Sequence, residues 1–297
     1  MSEQQSTILS VDLDDVACYH AIHGLPPPGP EAAGAVLERC LPRFLKLLEE
    51  VNSRATFFVV GRDLERDLRA GGRGAAALRA ALAAGHELAN HSWSHAYDLV
   101  NLPPAEIHAD LRRCDELLRG LGARPAGFRA PGYTHDAALL QQVGALGYRY
   151  DSSLLPSPSY YAAKLAAMGW MAARGRRSAS LAEGWRSFVG PQRPHFMADC
   201  GLWEVPVSVS PVLRVPMVGT FVLGSGGGLL RREAGERRYL HLELHGLDLA
   251  DPASDGYDAA LLRKQPELRT PLARREQRLR ELLARRGGSA SIGGVFP

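Results

Sequence analysis

The apolar residues of this chain change period again and again, from short unbroken runs to stripes spaced by three and four. Residues 7–13 (TILSVDL) form a β-rich run that ends in acid, and 55–60 (ATFFVV) form an apolar run closed by Gly61, as a strand buried on both faces would. Between them, 32–51 puts Val36, Leu37, Cys40, Leu41, Phe44, Leu47 and Leu48 on one helical face. A long loop, 14–30, with three consecutive prolines, precedes that helix. The alternation continues with a glycine-interrupted helix over 64–84, a strand at 87–90 and a helix over 104–120 that opens on Pro103-Pro104 and ends at Gly120. A strand at 127–130, a helix over 136–146 and strands at 148–154, 202–209 and 239–244 complete the set. Such alternation predicts an α/β protein with a parallel, closed or nearly closed barrel, read as a single domain over 1–297. No G-x-G-x-x-G follows the first strand, which argues against a dinucleotide-binding domain.

Two stretches break the rhythm. Residues 156–199 carry Tyr160, Tyr161, Trp170 and Trp185, with one helical piece at 161–171. An insertion of this length reads as a lid or binding loop, or as irregular surface packing. The glycines of 224–228 lack the Lys-Ser/Thr of a phosphate loop and read as a turn. Within 263–297, residues 271–286 predict an amphipathic helix docked on the barrel with a basic outer face; adhesion to anionic lipid is the less favoured alternative. The tail, 287–297, reads as a loose end, with a last short strand at 291–296 as the alternative.

A net charge of +3 is too small to imply nucleic acid. The cysteines Cys18, Cys40, Cys114 and Cys200 are far apart, without a C-x-x-C pair. The polar start lacks the pattern of a secretion signal, and no apolar run approaches a membrane span. The expectation is a cytoplasmic protein with reduced thiols; a homo-oligomer is left open.

The candidate chemistry sits at predicted strand ends. His91 and His95 are four residues apart and would face one way on a helical turn, within reach of one divalent metal. Asp12 and Asp14 share a strand face while Asp15 points away. Two such carboxylates repel unless a cation sits beside one of them. A metal held by Asp14, His91 and His95 would be that cation and would leave Asp12 free as a general base; two imidazoles and one carboxylate make a catalytic zinc site. Arg129, beside Pro131-Gly132, can hold a carboxylate bidentately, and the turn can expose an amide N–H as an oxyanion donor. Asp151-Ser152-Ser153 ends the fifth strand. His245 ends the last, sharing its face with His241 and Glu243.

In order, S-V-D-L-D, H-S-W-S-H, R-A-P-G-Y, D-S-S and L-H-G resemble the five motifs of the NodB-homology polysaccharide deacetylases, the carbohydrate esterase 4 type, from Thr7 to about Gly246. The most specific part is G-H-E-L-A-N-H-S with the histidine pair. The resemblance implies a distorted (β/α)7 barrel in which Asp14, His91 and His95 bind a divalent metal, usually Zn2+. It implies Asp12 as the base that activates water, Arg129 as its orienter and the Tyr133 N–H as oxyanion donor. It implies His245 as the acid that protonates the leaving amine, supported by a carboxylate such as Asp151. Many members carry T-F-D-D-G; here a residue separates Asp12 from Asp14, a form similar to the intracellular branch with its peptidoglycan-deacetylase-like and allantoinase-like proteins. Asp15 remains an alternative carboxylate ligand. The expected function is metal-dependent removal of an N-acyl group, most simply N-acetyl, from an amino sugar, with a nucleotide- or lipid-linked precursor as the fitting substrate. The rival readings are an allantoinase-like cyclic-amide hydrolase and a non-catalytic carbohydrate-binding barrel; a two-histidine, one-carboxylate iron oxygenase is remote. The loop after the first strand (Cys18, Tyr19, His20, His23) with Tyr160, Tyr161 and Trp170 of the insertion supplies candidates for stacking on sugar rings.

Overall fold

The computed structural model describes residues 5–173 and 190–296. One sheet holds β1 (Ser6–Asp12), β2 (Thr56–Val59), β3 (Glu87–Asn90), β4 (Gly127–Phe128), β5 (Tyr150–Asp151), β6 (His195–Met197), β7 (Leu202–Glu204) and β8 (Tyr239–His245). The order is β6-β7-β5-β4-β3-β2-β1-β8. All neighbours are parallel except β6, which runs antiparallel to β7. The gap between β7 and β8 is filled by irregular chain: Val207 N donates to Leu154 O, Ser208 N to His241 O and Glu243 N to Met217 O. The result is the nearly closed parallel barrel that the alternation predicts, with an extra antiparallel edge. A three-residue strand inside the insertion was too short to show a period.

Helices cover the outer face. Leu41–Glu50 buries Leu41, Phe44, Leu47 and Leu48, the stripe expected from the sequence, after a π turn at Val36–Cys40. The glycine-interrupted helix is two helices, Gly61–Arg69 and Arg73–Ala83, broken where Gly71 and Gly72 take φ of 113° and 71°. Pro104–Gly120 and Ala137–Ala145 lie where predicted, the second capped by Asp136 accepting from Leu139 N.

Three expectations are corrected. The loop after β1 contains a helix, Val16–Ile22, because Asp15 caps it through Ala17 N. The tail ends in a short helix, Ile292–Val295, capped by Ser291, and not in a strand. The helix Leu272–Arg285 docks through Leu279, Leu282 and Leu283, but its arginines do not all face out. Arg275 is fully buried and donates to the carbonyls of Leu247, Asp248, Ala250 and Thr270, fastening the chain that follows β8. The expected helical piece of the insertion is Pro158–Ala172; the Trp170 side chain and residues 174–189, with Trp185, lie outside the described residues.

Candidate active site

The C-terminal ends of β1, β3, β4 and β8 bring the candidate residues together. β1 pairs with β8 in a register that sets Asp12 beside His245 and Ser10 beside Glu243. Arg129, just past β4, is fully buried and crosses the barrel to reach them. Its Nη1 donates to Asp12 Oδ1 at 2.6 Å, its Nη2 to Ser10 Oγ and Ser152 Oγ at 3.0 and 2.8 Å, and its Nε to Ser152 O at 2.9 Å. The guanidinium also stacks 4.3 Å from the Phe58 ring centre. Burial works against the charge, but Asp12 and Glu243 outweigh it and raise the pKa further. Arg129 therefore stays charged and fixes one oxygen of Asp12, leaving the other for chemistry.

The histidine pair lies on a tight loop, and the expected helical turn is not formed: Ser92 and His95 take φ of 60° and 50°. Neighbouring polar groups hold this left-handed shape. Asn90 Oδ1 accepts from Ser92 N, Ser92 Oγ accepts from His95 N, and Asp110 accepts from both Trp93 N and Ser94 N. Asn90 is itself anchored, its Nδ2 donating to Leu111 O and Tyr148 Oη.

The loop delivers both imidazoles to Asp14, whose Oδ1 lies 3.2 Å from His91 Nε2 and 3.2 Å from His95 Nε2. These three side chains form a buried cluster with ligand atoms within 4.8 Å of one another. Asp14 Oδ1 and His95 Nε2 are buried without a hydrogen-bond partner. His91 Nδ1 is 2.7 Å from Arg129 O, and a carbonyl can only accept, so that nitrogen carries the proton and Nε2 presents a bare lone pair. Two partnerless buried atoms, Asp14 Oδ1 and His95 Nε2, with His91 Nε2 beside them, make a donor set of two nitrogens and one oxygen that fits a divalent metal. Burial opposes the Asp14 charge, yet His95 and His91 hold its pKa well below the ordinary value. Asp15 turns away: it accepts from Ala17 N and Gly34 N and pairs with Arg66 at 2.8 Å. Asp14 is thus the carboxylate that meets the histidines.

A second cluster, Asp12, Glu243 and His245, adjoins the first. Glu243 Oε1 accepts from Tyr133 Oη at 2.7 Å and lies 3.5 Å from Arg129 and 3.9 Å from His245 Nε2. Burial alone would depress the His245 pKa, but Glu243, then Asp12, Asp14 and Asp248, lift it to about 9. The carboxylate that supports His245 is therefore Glu243, and the expected role of Asp151 is corrected. Asp151 instead accepts from Ser153 N and Oγ, and lies opposite Glu204 in the β5–β7 register. Burial and Asp151 push the Glu204 carboxyl well above its ordinary range, so this pair braces the sheet and does not face His245. Glu243 was legible as a same-face neighbour of His245 two residues away; nothing local in the sequence marked Asp110.

Tyr133 also differs from expectation. Its N–H donates to Ala130 O at 3.0 Å within a 3-10 turn, so that amide is already engaged. Its backbone is left-handed, φ 63°, directly after Gly132 at φ 58°. A Cβ at Gly132 would lie 2.6 Å from the Tyr97 ring, so glycine is required there by space as well as by conformation.

These groups form the floor of a cavity of about 620 Å³, within the usual range of small-molecule sites. Its walls include Tyr19, His23, Tyr97, Tyr133 and Tyr160, with Leu155, Met168, Val218 and Phe221, and with Lys164, Lys264 and Glu267 among the charged residues. Of the residues singled out for sugar stacking, Tyr19, His23 and Tyr160 line the cavity. His20 and Tyr161 are buried outside its lining.

Residues 29–150 match the family model described as polysaccharide deacetylase. A chitin deacetylase from Colletotrichum lindemuthianum is 32% identical over 120 residues, which cover 40% of this chain and 47% of that protein. A chitooligosaccharide deacetylase from Bradyrhizobium is 33% identical over 94 residues, 31% of this chain and 39% of that one. The chain thus spans less than half the length of these curated relatives. A solved structure from Mycobacterium smegmatis, assigned to the polysaccharide deacetylases, superposes with a TM-score of 0.60 at 19% identity, covering 99% of this chain and 90% of the other. A 4-alpha-glucanotransferase from Thermococcus litoralis also gives 0.60, at 11% identity over 98% of this chain and 40% of the other. At such identities the superpositions show the shared fold, and the chemistry rests on the site.

Proposed function

We propose that the chain, whose residues 29–150 match the polysaccharide deacetylase family, is a metal-dependent hydrolase that removes an N-acetyl group from an amino sugar. The observation that carries the reading is the convergence of Asp14, His91 and His95 beside an Asp12 whose free oxygen lies 3.7 Å from His91 Nε2. A divalent metal held by those three side chains, Zn2+ by donor type, would supply Lewis-acid polarisation of the amide carbonyl and lower the pKa of water.

The remaining work falls to the chain's own residues. Asp12, with Oδ1 fixed by Arg129, presents Oδ2 to take the proton of the attacking water. His245, kept protonated by Glu243, stands beside Asp12 in the same cleft to hand its proton to the departing nitrogen. The C–O bond forms and the C–N bond breaks, so acetate and a free amine leave together. The oxyanion donor from the chain would be the Tyr133 N–H only if its bond to Ala130 O opens on substrate binding. We extend the reading to a reducing, cytoplasmic setting, which the four free cysteines, three of them buried, support. No described helix is long and apolar enough to cross a membrane.

The test is metal content together with acetate release from N-acetylated sugars, for wild type, His91→Ala and Asp12→Asn. Stoichiometric metal and turnover in wild type, both lost in His91→Ala, and metal kept but turnover reduced by about 10²–10⁴-fold in Asp12→Asn, are expected. Turnover of a cyclic ureide but not of sugars would move the protein to the allantoinase-like reading. Full activity without metal would overturn both.

A further inference from the structure

Of the 35 basic side chains, only Lys46, Lys164 and Lys264 are lysines, and two of these three line the cavity over the candidate site. Lys164 sits on the helix Pro158–Ala172, beside Tyr160, Ala163 and Met168 of the same wall. Its Nζ donates to Gly132 O at 3.4 Å, a long bond to a neutral carbonyl. Burial alone lowers its pKa to about 8, with no carboxylate among the described residues close enough to oppose it. Of the four acidic groups of the cavity, Asp12 pairs with Arg129, Asp14 faces the two imidazoles, Asp248 accepts from the amide of His245, and Glu267 is pushed up to about 7 by burial and by Asp248; none of them acts on Lys164. An ammonium desolvated against apolar walls without a counter-charge is unfavourable, and an arriving anion removes that penalty.

Its position ties it to the chemistry. Gly132 belongs to the R-A-P-G-Y turn and lies against Tyr97, whose ring centre is 5.4 Å from that of His95. Lys164 thus stands one aromatic ring away from the metal-ligating cluster, a separation that a single sugar ring can bridge. We propose that Lys164 is an anion-recognising residue of this cleft, so that the substrate is an N-acetylated amino sugar carrying a phosphate or carboxylate group near the amide. This rests on the deacetylase reading of the same site.

Calorimetric binding by the full chain distinguishes the outcomes, with N-acetylglucosamine, N-acetylglucosamine 1-phosphate and N-acetylmuramic acid as probes. Wild type is expected to bind at least one charged probe about tenfold or more tightly than the neutral one, a typical gain from one charge-assisted contact. Lys164→Met should bring the charged probe to the neutral affinity while leaving the neutral probe unchanged, and Lys164→Arg should keep most of the preference. Tighter binding of the 1-phosphate than of the lactyl ether would name phosphate as the group, and the reverse would name carboxylate. Equal affinities in wild type, including no detectable binding of any probe, or a preference that survives Lys164→Met, would overturn the proposal. Acetate release is followed in parallel. Its absence with every probe counts against the deacetylase reading alone, because the binding comparison does not depend on turnover.

Discussion

At the scale of single residues, the site is a set of charges that keep one another in working protonation states. Arg129 is charged because Asp12 and Glu243 face it, and Glu243 serves Arg129, Tyr133 and His245 together. Glu243 itself is pushed up to about 7, by burial first, so it is poised to lose its charge within the neutral range. The sign for His245 follows from its own shift. A base lifted to about 9 is protonated at neutral pH and loses its proton as pH rises through that value, so acid-assisted turnover should fall there. Glu243→Gln removes the leading source of that lift while keeping an acceptor for Tyr133 Oη. The alkaline limb of kcat should therefore move to lower pH, with roughly a tenfold loss, read above the limb, for each unit moved. A pH–rate profile checks this, and an unmoved limb would mean that His245 does not owe its charge to Glu243.

At the scale of elements, strand ends and the loops after them do the positioning. The histidine loop depends on Asp110, which reaches from the helix Pro104–Gly120 to hold two successive amides. Asp110→Ala should leave the helix intact but free the loop to leave its left-handed turns. Metal affinity, read by competition with a chelator, should fall about 10- to 100-fold, as for loss of other groups that orient ligands; unchanged affinity would show that Asn90 and Ser92 suffice. This loop also marks where sequence reading stops. Helices that repeat a period over ten or more residues, such as the stripe from Val36 to Leu48, were legible because burial imposes the period. Strand-end residues were legible through their types and spacing. The shape that unites them was not: the positive φ at Ser92 and His95 goes with bonds to Asn90 and Ser92 nearby, and the amides between them are held by Asp110, a partner distant in sequence that no local pattern marks. The partner of His245 was legible, since Glu243 shares its strand face two residues away; the place of Asp151 was not, because the β5–β7 register sets it opposite Glu204.

At the scale of the whole molecule, the open end of the barrel is closed by the last residues of the chain. Ile292, fully buried, packs with Ile8, Phe58, Ala89, Ala126, Tyr150 and Val205, and the Phe58 ring of this cluster also carries the Arg129 guanidinium. The tail is pinned there by Ile292 N donating to Thr56 Oγ1 and Gly293 N donating to Glu87 Oε2. Arg286, at the end of the preceding helix, donates to Thr7 Oγ1 and to the carbonyls of Ser6, Ala234 and Arg237, which fixes the start of β1 to the same region. The floor of the site and the plug of the barrel therefore share one apolar layer, and the plug acts on stability before it acts on chemistry. Ile292→Ala should lower the unfolding free energy by about 2–5 kcal/mol, the range for emptying a buried aliphatic site, and shift the urea midpoint without changing the slope. Well below the unfolding transition, kcat and metal content should stay at wild-type values, because Arg129 keeps its polar partners to Asp12, Ser10 and Ser152. A loss of turnover in the still-folded variant would instead mean that the packing under Phe58 sets the position of Arg129, and that the plug is part of the site's alignment.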